Sequence, residues 1–183
     1  MSIPLEAVEY PWFRMISARE SGSYEIQQGD IVENFSILSM IDPDDYPGTT
    51  LPLERLDLNL IVLSQSRDLN DGKIDRVVAC SLHTLNDFPE DHPMARPGGL
   101  EQLRKGNLAT FHLLNRCEVS GFERPFRIAD FGGVHSIPVA LVRKHLARST
   151  HLRLMSPYRE HLCQSFARFF MSAGLPADLP PFL

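Results

Sequence analysis

The chain has 183 residues, 43% of them hydrophobic and 22% charged, and a net charge of −5; such a composition excludes wholesale disorder and suits one domain that buries roughly 70% of its unfolded surface. No stretch approaches the roughly 20 apolar residues of a membrane span, and the N-terminus lacks a basic segment followed by an apolar run, so a cytoplasmic protein with no membrane contact is expected. Cys80, Cys117 and Cys163 are odd in number and widely spaced, which argues against a disulfide framework or a CxxC site and for buried free thiols.

Charge is polarised along the chain. Residues 1–60 hold 11 acids and 3 bases, residues 61–115 hold 7 and 6, and residues 116–183 hold 5 and 9. An acidic protein is not a general nucleic-acid binder, because phosphate contact is driven by Lys and Arg. A local basic face built from the C-terminal third stays open.

Residues 1–23, with apolar patches at Pro11-Trp12-Phe13 and Met15-Ile16, read as an N-terminal arm that packs aromatics onto the body or a partner. The remaining 24–183 read as a single domain. A first strand is expected within Tyr24–Phe35, entered at Gly29-Asp30. The proline-rich acidic span Asp42–Pro52 reads as an exposed loop. Asn59-Leu60-Ile61-Val62-Leu63 is a buried strand that delivers the polar Ser64-Gln65-Ser66-Arg67-Asp68 to its own end, and Asn70-Asp71-Gly72-Lys73 carries hairpin-turn chemistry. Arg76–Leu82 predicts a third strand ending in His83-Thr84. One or two helical turns fit Gly98–Lys105, and further strands fit Leu108–Leu114 and Phe126–Phe131, followed by Gly132-Gly133. A short helix is expected from a cap near Ser136 to about His145. The clearest helix is the last, about 157–172: Ser156 caps, Pro157 takes the first position, Leu162, Phe166, Phe169 and Phe170 form an apolar stripe, and Gly174 and Pro176 stop it. Short strands joined by irregular linkers, then a helix, predict a mainly β, α+β fold: a small antiparallel barrel rather than a βαβ sheet.

The motif order Gln28-Gly29-Asp30-Ile31-Val32, Leu60-Ile61-Val62-Leu63-Ser64, Val77-Val78-Ala79-Cys80-Ser81-Leu82 and Ala129-Asp130-Phe131-Gly132-Gly133-Val134-His135-Ser136-Ile137, closed by an amphipathic helix, resembles the PemK/MazF-like proteins. The resemblance implies an SH3-like β-barrel, a homodimer or other protein partner, and RNA as a further partner. That family includes the messenger RNA endonucleases of bacterial toxin–antitoxin systems. Its toxins carry an arginine before the second strand and a threonine at the end of the third; here those positions hold Leu58 or Asn59 and Leu82, with Arg55 earlier and Thr84 two residues on.

Without that pair, the expected function is a non-catalytic or regulatory interaction component of a toxin–antitoxin or defence module. Two alternatives stand beside it, a divergent metal-independent endoribonuclease and a small-molecule sensor. For catalysis the candidates are Arg67, whose planar fork suits phosphate, with His83, Thr84 and His135, a histidine serving as general base near neutral pH. Ser64, Gln65, Ser66, Asp68 and Ser136 are the candidate binding residues. No cofactor is expected. The loop residues Asp87, Glu90, Asp91 and His92 match no metal-ligand spacing.

Overall fold

A computed structural model describes residues 11–18, 25–40, 53–94, 96 and 98–171. The acidic 42–52 excursion and the expected stop at Gly174 and Pro176 lie outside these residues. The described chain is α+β. Its strands are β1 (Phe13–Ile16), β2 (Ile31–Met40), β3 (Leu53–Val62), β4 (Arg76–His83), β5 (Phe111–Leu114), β6 (Arg127–Pro138) and β7 (His151–Leu154). The helices are α1 (Ser66–Asn70), α2 (Gly99–Arg104), α3 (Val139–Leu146) and α4 (Tyr158–Phe170).

All pairings are antiparallel. One sheet has the order β2-β3-β4-β6-β5 and the other pairs β1 with β7. The expected closed barrel is not formed, because the large sheet ends at β2 and β5 and these two edges do not pair with each other.

The central strands are covered on both faces. Leu60, Ile61 and Val62 are fully buried and Leu63 nearly so, which explains why this stretch reads as a continuous apolar run instead of alternating. On one face Ile61, Cys80, Leu82 and Phe131 meet Leu152 and Leu154 of β7 and Leu162 of α4. The other face sets Leu60, Val62, Val77 and Ala79 against Val142 and Leu146 of α3. A third cluster, Met94, Leu103 and Ile128, sits under α2.

The arm reading is refined: Phe13–Ile16 is a strand on β7, and Trp12 stacks on Tyr158 at 3.6 Å between ring centroids. The expected short helix starts later. Ser136 lies in β6, paired with Val78, and α3 begins at Val139 after Pro138. Helix α4 starts at Tyr158, with Phe166 and Phe169 packed on Phe131 as the stripe requires, while Phe170 faces outward. The segment expected as a polar loop and hairpin turn forms α1 instead, because Asp71 and Lys73 donate their N–H groups to the Arg67 and Asp68 carbonyls and wind it into a helical turn.

The two sheets meet at Gly29-Asp30. Gly29 N–H donates to the Val62 carbonyl at 2.9 Å, and Leu154 N–H donates to the Gly29 carbonyl at 2.8 Å. Gly29 has φ +87°, and a Cβ there would meet the Leu154 carbonyl oxygen at 2.8 Å, so glycine is required twice over. The Asp30 side chain is wholly buried; it accepts from Gln27 N–H at 2.8 Å and Arg153 Nε at 2.5 Å, with His151 Nε2 at 3.4 Å. Burial pushes the Asp30 carboxyl up, but hydrogen bonds from His151 and Arg153 outweigh it and hold its pKa below the ordinary 3.8.

Removing one member of a buried pair strands the other charge. Asp30→Asn is therefore expected to cost about 3–5 kcal/mol in urea unfolding. With a depressed folded pKa, the stabilisation is complete above the ordinary carboxylate range and disappears as pH falls through the folded value, so the wild-type advantage over Asp30→Asn must shrink in acid. An unchanged midpoint would refute this role.

Candidate functional site

Antiparallel register separates the predicted site residues. Arg67, His83 and their neighbours do not converge. α1 follows β3 beside the start of β4, where Ser64 Oγ accepts from Val78 N–H at 2.8 Å and Ser66 Oγ accepts from Gln28 N–H at 3.0 Å. Arg67 is 82% exposed and its Nε lies 3.6 Å from Asp71, while Asp68 pairs with Lys73 at 3.5 Å. Gln65 precedes α1 and is exposed. Ser136 Oγ accepts from Arg76 Nε at 2.8 Å. His83 and Thr84 stand at the other end of β4, roughly 15–20 Å from Val78 at about 3.3 Å per residue. His135 lies between, opposite Ala79.

At the His83 end a cleft opens, lined by Glu33, Asn34, Asn59, Leu82, His83, Thr84, Arg124, Pro125 and Arg127. Three chain features build it. First, β2 carries a bulge between Val32 and Phe35, with Asn34 at φ +52°, its N–H donating to Asn59 Oδ1 at 3.0 Å. Bulges re-aim side chains; here the bulge presents Glu33. Second, Cys117 and Arg124 exchange two backbone hydrogen bonds, 2.9 and 3.0 Å, in a small hairpin that places Arg124. Third, β6 begins at Arg127, whose side chain is only 7% exposed.

The two guanidinium groups converge on one carboxylate. Arg124 Nε and Nη2 each donate to Glu33 at 3.0 Å, and Arg127 Nη2 donates to Glu33 Oε1. Burial raises the Glu33 pKa, yet these hydrogen bonds more than offset it and hold the group below 4.5. Arg127 Nη1 is buried and meets no acceptor among the described residues. A buried guanidinium N–H without an acceptor is costly.

Behind the cleft, one sheet face carries a polar row between the second and third apolar clusters. β6 opposes Ser81 with Asp130 and Cys80 with Val134, so Phe131, Gly132 and Gly133 are extra residues in its ladder. Within this bulge His83 Nε2 lies 3.7 Å from Asp130 Oδ2, and Ser81 Oγ lies 3.1 Å from His135 Nε2. A Cβ at Gly133 would meet Ser81 Oγ at 2.9 Å. Thr84 is occupied in a capping box with Asp87, its N–H donating to Asp87 Oδ2 at 2.6 Å. His92 Nδ1 accepts from Met94 N–H at 3.3 Å. Among the described residues no group of three or more His, Cys, Asp or Glu side chains is arranged to hold a metal ion.

Glu33, Ser81, Arg124, Arg127 and Asp130 were not singled out from sequence. The visible signal was the basic excess after residue 116, to which both arginines belong. Cys80 is inert as a nucleophile: burial, then the nearby Asp130 charge, pushes its thiol up to about 12.

No protein-family model matches the chain, and comparison with curated proteins finds no match either. Among the described residues no helix is long and apolar enough to cross a membrane.

Burial holds the His135 pKa below 6.5, so at neutral pH the ring that meets Ser81 is uncharged. NMR titration of the ring protons should give a midpoint below 6.5, and one at or above that value would contradict the burial argument. Because the folded state prefers the neutral ring, the contribution of His135 to stability is lost as pH falls below the unfolded-state value.

Proposed function

We propose that this protein is a phosphate-reading interaction module, a non-catalytic or regulatory component that contacts nucleic acid through the Glu33–Arg124–Arg127 cleft. The observation that carries this reading is the convergence of Arg124 and Arg127 in the lining of one open cleft, with two guanidinium groups on a single carboxylate. Arginine is the side chain best shaped for phosphate, and a water-poor site strengthens the contact. Confining the contact to one cleft also reconciles phosphate binding with a net charge of −5, because the surrounding acidity limits non-specific association.

The PemK/MazF-like resemblance agrees with the position of the cleft, since Asn59, Leu82 and Thr84, the positions compared with the toxin arginine and threonine, all line it. It extends the proposal to a component of a bacterial toxin–antitoxin or defence module. A protein partner has its own surface on the β2–β3 hairpin, where edge strand β2 exposes Leu38 and Met40 beside Leu53 of β3.

Fluorescence anisotropy with a short labelled single-stranded RNA tests the reading. Arg124→Ala, at a half-exposed residue, should weaken binding about tenfold and reduce the salt-dependence slope by about one. Equal affinity and equal slope in wild type and variant would remove the cleft from consideration.

A second reading, a metal-independent endoribonuclease, rests on His83 paired with Asp130 in the wall of the same cleft. His83 would accept the attacking 2′-hydroxyl proton while the arginines stabilise the charge developing on phosphate. Cleavage that persists in EDTA and is abolished by His83→Ala would support it. RNA left intact by wild-type protein would rule it out.

A further inference from the structure

We infer that Glu33 sets the charge selectivity of the cleft, tuning it to a singly charged phosphodiester over a doubly charged phosphomonoester. This inference rests on the phosphate-binding reading above and concerns which phosphate the site accepts.

The protein itself engages four of the ten guanidinium N–H donors in the cited hydrogen bonds. Arg124 spends Nε and Nη2 on Glu33 and Nη1 on the Glu123 carbonyl at 2.9 Å. Arg127 spends Nη2 on Glu33, and its Nη1 meets no acceptor among the described residues. Two guanidinium charges against the Glu33 carboxylate leave a surplus of at most one. His83, the other titratable group of the lining, sits on Asp130; that pair carries −1 with a neutral ring and 0 with a protonated one, so it never adds to the surplus and lowers it when the ring is neutral.

A phosphodiester carries one negative charge, the most that this surplus can balance. A monoester carries up to two at neutral pH, so its second charge would be placed beside the Glu33 carboxylate without a partner, and like charges held close in a partly buried site repel strongly. Glu33 is not free to withdraw. Its own carbonyl accepts from His145 Nε2 at 2.9 Å, the following Asn34 N–H is fastened to Asn59 at 3.0 Å, and the bulge residue Asn34 holds φ +52°. A carboxylate seated by a bulge and tethered from both β3 and α3 is a fixed element of the site.

The experiment compares a nucleoside 5′-monophosphate with its methyl ester, two ligands alike except for one charge, by NMR titration of the full chain at constant ionic strength. Wild type should bind the methyl ester more tightly. Glu33→Gln should raise affinity for the monophosphate about tenfold while changing that for the methyl ester little, because the negative charge beside the ligand's second charge is removed. Glu33→Asp, which keeps the charge, should keep the wild-type preference. A wild-type preference for the monophosphate, or an equal gain for both ligands in Glu33→Gln, would overturn the inference while leaving the phosphate reading intact. Absence of binding by either ligand to wild type and Glu33→Gln alike would overturn both. If Glu33→Gln does not fold, the wild-type preference and Glu33→Asp still decide the matter.

Discussion

The buried carboxylate of Asp30 and the glycine before it hold the two sheets of this protein together. Gly29 bonds to Val62 on one side and Leu154 on the other, so its backbone fixes the β1–β7 ribbon, which packs across the large sheet through Phe13, Leu152 and Leu154, in a definite register against it. Asp30 supplies what that junction needs in charge: a guanidinium and an imidazole from β7 enter the buried interior, and the carboxylate faces Arg153 Nε and His151 Nε2. Buried ion pairs contribute little net stability relative to well-packed apolar groups, but they penalise every arrangement that separates them. The consequence is specificity of docking. With β7 in register, α4 follows it onto Phe131 and Leu162 is sealed in the core.

What sequence reading recovered depends on how local the cause was. The Leu60–Leu63 run, the Arg76–Leu82 strand and the aromatic stripe of α4 are dictated by residues within one element, and each appears where its pattern placed it. β1 and β7 carry only four residues each, too few for a period to emerge, and their pairing partners are separated by most of the chain. β6 was cut short because Gly132-Gly133 reads as a stop. Opposite Cys80 and Ser81 those glycines form a bulge, and the strand resumes through His135 to Pro138.

The site shows the same division more sharply. Arg67 looked promising because it follows a buried strand, but register carries it to the end of β4 away from His83, and its exposed side chain is engaged by Asp71. Arg127 looked like an ordinary strand residue between Phe126 and Ile128. Its significance comes from Glu33, ninety-four positions earlier, and no local pattern could have joined them. The polar end of the third predicted strand, His83-Thr84, points to one wall of the cleft; for the arginines opposite, the only signal is the coarsest, an acidic first third set against a basic last third.

That polarity also orders events during synthesis. Glu33 belongs to the first strand of the large sheet and Asp30 immediately precedes it, whereas Arg124, Arg127 and Arg153 lie 91 to 123 residues downstream of their partners. Contacts of such high sequence separation form late and slow folding, because loop closure must precede their reward. On a ribosome adding roughly 5–20 residues per second, Glu33 waits for Arg124 and Arg127 while Asp30 waits longer, for Arg153 of β7, so the ion pairs of the cleft come within reach before the joint between the two sheets does.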